Sequence, residues 1–544
     1  MLPRLKLPLP PAALALLAAA FLLPGLAGHD PWKFQDAVAI GIAHAMASGG
    51  DWLVPQAASL RWMHDPPLYH WVGAAFGKSL QWGLEFHAGA RLASGAFMAA
   101  AFYLLYAAGR DWSERDKAAE TACAALLLLL GCVGLMVHAH EALPELASLA
   151  AVCGALRILP HAQRLPFKAG ALLGAALGLA FLAAGWIAPV ALAAALAIAH
   201  LACPQWRNRA GAVFLATALA TGLAIAAAWA LAHALRSPEA LREWWMLATQ
   251  RQGGTSQNLR NLLSTLAWFA WPAWPLALWS AWSLRRRWAE AQLFVPAAAA
   301  LAMLGLLAWR GPAQQENLIP MLAPLALLAA AGVFTLRRGA MGAFDWFGIL
   351  TFAVFAGLVW LGYLAMMTGV PPRIEYNFAR TAPGFAPHFS LPAFVAALLL
   401  ALSWLCLVFF SAASPVRSVT RWAAGIVLLW GTFSMLLMPW ADYQKSYRSV
   451  ALQLRSRIPV GAECLVQKSL GLSQAAALDY HAGIRARPYD LLKPEDCPLL
   501  LVQGSPKHEL DAPASSATAR WTKLADVGRP GDKSERYRLY RLQK

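Results

Sequence analysis

Charge is what this sequence has least of. Only 13% of its 544 residues are Asp, Glu, Lys or Arg, about half the share of roughly 25% found in a soluble domain. Acidic residues are the scarcer sign, at 28. This scarcity excludes a disordered chain, a coiled coil and a cytosolic enzyme of ordinary make-up. Cysteine is also sparse: there are seven, with no Cys-x-x-Cys and no His/Cys spacing suited to structural zinc. No internal repeat and no matched pair of broken apolar segments is found, so the sequence lacks the usual mark of a transporter.

What is present is apolar. Hydrophobic residues make up 59% of the chain and the mean hydropathy is +0.49. A membrane span needs about 20 mostly apolar residues. Thirteen stretches qualify: 9–28, 88–108, 118–138, 142–158, 168–184, 186–203, 211–234, 261–282, 291–309, 316–336, 344–365, 391–411 and 422–440. The pair 168–184 and 186–203 is the least distinct, because little more than Gly185 parts them. The expected fold is an α-helical polytopic membrane protein over 1–442, with a long loop at 29–87. Residues 443–544 carry 17 Lys/Arg and 10 Asp/Glu, a soluble-like share, and read as a small α/β domain. Strands are expected near 463–467, 499–503 and 537–541, and helices near 443–457 and 472–482. The tail contains no phosphate loop and no nucleophile motif.

The formal net charge of +17 would suit a nucleic-acid binder, but its distribution argues otherwise. With the N-terminus in the cytoplasm and the spans alternating, 17 basic residues and six acidic ones fall in short cytoplasmic loops. The long outer loops hold 11 basic and 12 acidic residues. This is the positive-inside pattern. It implies no nucleic-acid partner and puts loops 29–87, 235–260 and 366–390 and the tail domain on the outer face. On an oxidising exterior, Cys464 and Cys497, the two tail cysteines, are expected to pair. The other five lie in or beside spans, where a thiol acts as a small apolar group.

Ionisable residues at or near membrane depth are costly and are site candidates by default. The first outer loop is the richest, with His29-Asp30-Pro31-Trp32-Lys33-Phe34-Gln35-Asp36, Gly50-Asp51-Trp52-Leu53-Val54-Pro55 and His64-Asp65-Pro66-Pro67. A second group, His138, His140, Glu141 and Glu145, marks the turn between the third and fourth spans, and Arg91 starts the second.

These blocks, with Ala90-Arg91-Leu92-Ala93-Ser94 and Glu316-Asn317-Leu318-Ile319-Pro320, resemble superfamily C (GT-C) glycosyltransferases. The chain looks most like the bacterial branch that contains the lipid A aminoarabinose transferases and the family 39 protein O-mannosyltransferases. The resemblance implies transfer of a sugar from a polyprenyl-phosphate donor to a lipid A, glycan or protein acceptor, on the periplasmic face of a bacterial inner membrane. A carboxylate would take the acceptor's proton and basic side chains would stabilise the leaving phosphate. Gln35-Asp36 stands where the family has Asp-Glu. Asp36 is therefore the first expected base, with Glu145 as the second acidic residue and Asp30 as a further candidate. Lys33, Arg91 and Arg310 are the expected phosphate contacts, and Gln35, His64, Asp65, His140 and Glu141 the remaining substrate contacts. A divalent metal is left open through His64, His138 and His140, which share no fixed spacing, and no metal ligand is assigned. The alternative reading is a non-catalytic relative that binds a polyprenyl lipid or an envelope partner.

Overall fold

The computed structural model describes residues 6–32, 34–311, 313–459, 461–462, 464–488, 497–505 and 520–543. Each of the thirteen apolar stretches contains helix, although 118–138 is broken after Leu130 before the single turn Leu135–His138. Among the described residues, eight helices are long and apolar enough to cross a membrane: Phe86–Asp111, Pro166–Ala184, Arg209–Arg236, Ala291–Arg310, Gln315–Thr335, Arg338–Thr368, Leu391–Phe410 and Arg417–Leu436. Three shorter apolar helices accompany them, Pro11–Leu22, Ala118–Leu130 and Ile187–Ala202. The stretch 142–158 forms the Pro144–Ile158 helix. The stretch 261–282 is not one helix: Thr255–Phe269 and Ala273–Ser283 are separated at 270–272, where Pro272 cannot donate a helical hydrogen bond. The pair around Gly185 separates cleanly. Gly185 ends the Pro166–Ala184 helix at φ +82°, a conformation that favours glycine.

Burial follows the sequence pattern. One apolar core runs through the helical part and includes the fully buried Leu127, Leu128, Leu129 and Leu130 of Ala118–Leu130. By contrast Arg338–Thr368 and Leu391–Phe410 leave Leu350, Val354, Leu358, Leu399 and Phe409 exposed, as helices do when lipid is their solvent.

The long first loop is itself folded. Gln35–Ala47 is a helix buried along nearly its whole length, and Leu68–Ser79 packs beside it in a second core that also contains Ala476 of the tail. The Gly-Asp-Trp block shapes the chain between these helices. Asp51 Oδ1 accepts from the Leu53 and Val54 amides at 2.8 and 3.3 Å, and the Trp52 carbonyl accepts from Trp71 Nε1 at 2.6 Å.

Among the described residues, the tail forms a mixed five-stranded sheet. Its strands run in the spatial order Arg487–Pro488, Leu465–Lys468, Leu499–Gly504, Arg536–Gln543 and Arg520–Val527. The first three are parallel and the last two add antiparallel. Cys464 and Cys497 are joined in a disulfide, with Cα atoms 5.3 Å apart, just ahead of two neighbouring strands. Helix Leu472–Ala482 covers the sheet and sits on Gln35–Ala47. Contact there is close enough that a Cβ on Gly41 would lie 3.0 Å from the Ala476 methyl, so glycine is what lets the two helices meet.

Candidate active site

A cavity of about 320 Å³ opens where the first loop, the start of Pro144–Ile158 and the turn after Ala291–Arg310 converge. Its charged lining is Asp65, Glu145 and Arg310, joined by His64 and Gln35. Four more carboxamides, Gln250, Gln252, Gln314 and Asn317, and the rings of Phe34 and Trp62 complete the polar and aromatic surface. Two carboxyl groups, one guanidinium, amides and an aromatic face are the groups that bind a polyhydroxylated ligand carrying an anion.

Asp65 precedes Pro66-Pro67 in the turn that leads into Leu68–Ser79. Burial drives its carboxyl up to about 6, against the opposing pull of the Trp62 Nε1 hydrogen bond (3.3 Å to Oδ2) and the Arg310 charge. The neighbouring His64 lies against Trp62, with ring centroids 4.3 Å apart, and burial and then Arg310 hold its proton affinity down. Glu145 occupies the first turn of Pro144–Ile158 and is 4% exposed. Its Oε1 accepts from Asn317 Nδ2 at 3.1 Å. Its Oε2 is buried with no hydrogen-bond partner among the described residues. A buried oxygen of this kind costs energy unless something fills its need.

Asp36 is elsewhere. Its two oxygens take four hydrogen bonds. Oδ1 accepts from Arg91 Nε at 3.0 Å and the Ala142 amide at 2.8 Å, and Oδ2 from Arg91 Nη2 at 2.6 Å and the Trp32 amide at 3.0 Å. A carboxylate has about four lone-pair directions, and all are used. Burial alone would raise this carboxyl; Arg91 outweighs it and keeps the proton affinity below the usual range. Arg91 is also largely engaged, since two more of its N–H groups donate to the His29 and Asp30 carbonyls at 2.7 and 2.8 Å. The expected base and one expected phosphate contact thus form a buried brace that ties the first loop to Phe86–Asp111.

Asp30 is engaged by the tail. It takes Arg448 at 2.6 to 3.1 Å and Ser446 Oγ at 2.5 Å. Burial opposes ionisation of Asp30, but Arg448 and Ser446 bring its carboxyl down to about 2. Among the described residues, Asp30, Glu85 and His87 form the one group of carboxylates and histidines close enough together to hold a metal ion. The Arg448 guanidinium bridges Asp30 and Glu85 in that group, at 2.6 Å to each. His140 is buried, with ring nitrogens 2.8 and 3.1 Å from the Phe21 and Met136 carbonyls and its ring stacked on Trp430. Glu141 pairs with His138 Nδ1 at 2.6 Å. Neither His140 nor Glu141 lines the cavity. Lys33 lies outside the described residues.

Of the expected site residues, the cavity therefore gathers Gln35, His64, Asp65, Glu145 and Arg310. The residues absent from the sequence reading are the amides Gln250, Gln252, Gln314 and Asn317. Their one sequence signal is position: Gln250 and Gln252 follow an amphipathic loop helix, Pro238–Thr249, and Asn317 falls in the Glu-Asn-Leu-Ile-Pro block.

The chain matches no family model. Over 186 residues it is 31% identical to the undecaprenyl phosphate-alpha-4-amino-4-deoxy-L-arabinose arabinosyl transferase of Pseudomonas aeruginosa (strain LESB58). That match covers 32% of each chain, so about a third of the curated relative is spanned. In structure it is similar to ArnT from Cupriavidus metallidurans bound to undecaprenyl phosphate, with a TM-score of 0.69 and 17% identity, covering 97% of this chain and 96% of that one. The apo state of the same protein gives a TM-score of 0.67 at 18% identity over the same shares. From the first helix to the terminal sheet, this chain has the fold of ArnT from Cupriavidus metallidurans.

Proposed function

We propose that the protein is a membrane glycosyltransferase that moves a sugar from a polyprenyl-phosphate donor to an acceptor at the periplasmic face of a bacterial inner membrane. The observation that carries this reading is the cavity in which Asp65, Glu145 and Arg310 meet at one end of the helices, within the fold of a structure bound to undecaprenyl phosphate. In this reading the N-terminus is cytoplasmic and the tail domain periplasmic, as the loop charges favour.

Asp65 is the general base of the proposed reaction. A carboxyl held near 6 accepts a proton usefully at neutral pH while still being ionised there. The acceptor nucleophile gives its proton to Asp65 as it bonds to the anomeric carbon. The bond from that carbon to the phosphate oxygen breaks, and its electron pair leaves on the polyprenyl phosphate. Arg310 faces the negative charge that gathers on that phosphate. Glu145, whose Oε2 has no partner among the described residues, hydrogen-bonds to a hydroxyl or amino group of the sugar. An amino sugar, the class named for the Pseudomonas aeruginosa relative, suits a cavity with two carboxyl groups and one guanidinium. The acceptor is a lipid A, glycan or protein. Asp36, for which the sequence suggested the base role, is given a structural one instead, because its lone pairs are occupied.

The second reading, a lipid-binding relative without turnover, is favoured by one observation: the neutral Gln35 lines the cavity at the position of the family's carboxylate. Purified protein in liposomes, supplied with a panel of undecaprenyl-phosphate sugars and acceptor lipids, separates the two. Release of undecaprenyl phosphate that depends on Asp65 supports transfer. Binding of undecaprenyl phosphate with no release across the panel supports the second reading.

A further inference from the structure

We infer that Asn317 is a positioning residue that decides which oxygen of Glu145 meets the substrate, and that it does so from the end of a hydrogen-bonded row that begins at Gln35. The inference rests on the proposed transfer reaction. The row has three links. Gln35 Nε2 donates to Gln314 Oε1 at 3.0 Å. The Gln314 amide N–H donates to Asn317 Oδ1 at 3.1 Å, and the Asn317 amide N–H returns to the Gln314 side chain, so the two residues cap the turn Gln315–Met321 reciprocally. Asn317 Nδ2 then donates to Glu145 Oε1 at 3.1 Å. All four side chains line the cavity. They come from three separate parts of the chain: the first-loop helix, the turn after Arg310, and the start of Pro144–Ile158.

The orientation of the Asn317 amide is not free. Its oxygen faces an N–H donor in the cap, so its NH₂ must face Glu145. That contact commits Oε1 and leaves Oε2 as the oxygen without a partner among the described residues. The donor is neutral. It fixes the orientation of the carboxyl without forming the ion pair that Arg91 makes with Asp36. A lysine or arginine in this place would spend Glu145 on an ion pair. The amide leaves Oε2 available to a hydroxyl or amino group of the sugar. Gln35 has a matching part: at the position of the family's carboxylate it supplies the donor that anchors the cap, and is not itself a proton acceptor.

The test is a double-mutant cycle in liposomes with undecaprenyl-phosphate sugar donors. Asn317→Ala should lower kcat/KM by about 10-fold or more in the natural protein, and by less than about twofold when Glu145→Gln is already present, because interacting residues are not additive. Asn317→Asp keeps the cap acceptor but removes the donor to Glu145, so its loss should match that of Asn317→Ala. Equal losses of Asn317→Ala in both backgrounds would overturn the inference.

A second readout needs no turnover. The infrared band of the Glu145 carboxyl, identified by its loss in Glu145→Gln, should shift in Asn317→Ala and in Asn317→Asp. An unshifted band overturns the inference. A shifted band in a protein that transfers no sugar leaves the Asn317 contact standing and rejects the transferase reading alone. Thermal unfolding of each variant in detergent separates these outcomes from misfolding: the expected shifts are to be read in variants whose Tm stays within a few degrees of the natural protein.

Discussion

Arg91 grips both oxygens of Asp36, at 3.0 and 2.6 Å, with neither side chain exposed to solvent. The sequence places these two residues 55 positions apart, and each looks individually like catalytic equipment. Together they are a brace. Removing one member of such a buried pair typically costs about 3–5 kcal/mol, because the other is left charged and unpaired. Arg91→Leu should therefore lower the unfolding temperature sharply, and Arg91→Leu with Asp36→Leu should lower it less than either change alone. Thermal unfolding of the purified protein checks both.

Asp65 sets the pH dependence of the proposed chemistry. Its carboxyl is raised to about 6 by burial, so the ionised, proton-accepting form predominates only above that value. The rate should rise as pH increases through about 6 and then level. Asp65→Asn should reduce kcat by about 100-fold or more, the usual yield of a positioned base, and remove that limb. An unchanged profile in Asp65→Asn would reject Asp65 as the base.

Arg310 is expected to act on the lipid phosphate. Losing a charge-assisted hydrogen bond costs about 1.5–3 kcal/mol, which is roughly 10- to 100-fold in affinity. Arg310→Gln should weaken binding of undecaprenyl phosphate by that factor in a fluorescence or calorimetric titration. Arg310→Lys should recover part of it, since the charge returns without the fork. Full affinity in Arg310→Gln would move the phosphate away from this side chain.

Asp30 and Arg448 make the junction with the tail acid-sensitive. The Asp30 carboxyl is brought down to about 2 from its ordinary 3.8. A lowered carboxyl contributes stability above its unfolded value, and that stability is lost as pH falls through the folded one. Hydrogen exchange across Leu472–Ala482 should accelerate between about pH 4 and 2 in the natural protein. In Asp30→Asn it should already be fast at pH 4 and change little below it.

The membrane helices were legible because length and apolarity are enough to find them. The break at 270–272 and the tight turn Gln315–Met321 were not, since an apolar run conceals an interruption until its packing is known. In the tail, Leu499–Gly504 and Arg536–Gln543 stand out by composition, while Arg520–Val527 carries too many polar residues to read as a strand. The site divides in the same way. Scanning a charge-poor sequence for ionisable groups finds Asp65, Glu145 and Arg310, and also Asp36, Asp30 and Arg91, because the scan cannot tell a paired charge from a free one. Gln35 and Asp36 are neighbours in one helix, and successive helical residues diverge by about 100°. One faces the cavity and the other the core, a choice fixed by where Arg91 arrives. Asn317 and Gln314 were missed because an amide leaves no trace in a charge pattern.

The seat of Leu472–Ala482 on Gln35–Ala47 has a bearing on how the protein is made. The helix that presents Gln35 to the cavity precedes every long span in the sequence, and Leu472–Ala482, which packs on it at Gly41, follows them all. Its seat at Gly41 thus stays bare until every intervening span has been made. A chain with its spans inserted and its tail still unfolded carries the lining of the cavity on a first-loop helix that lacks its cover.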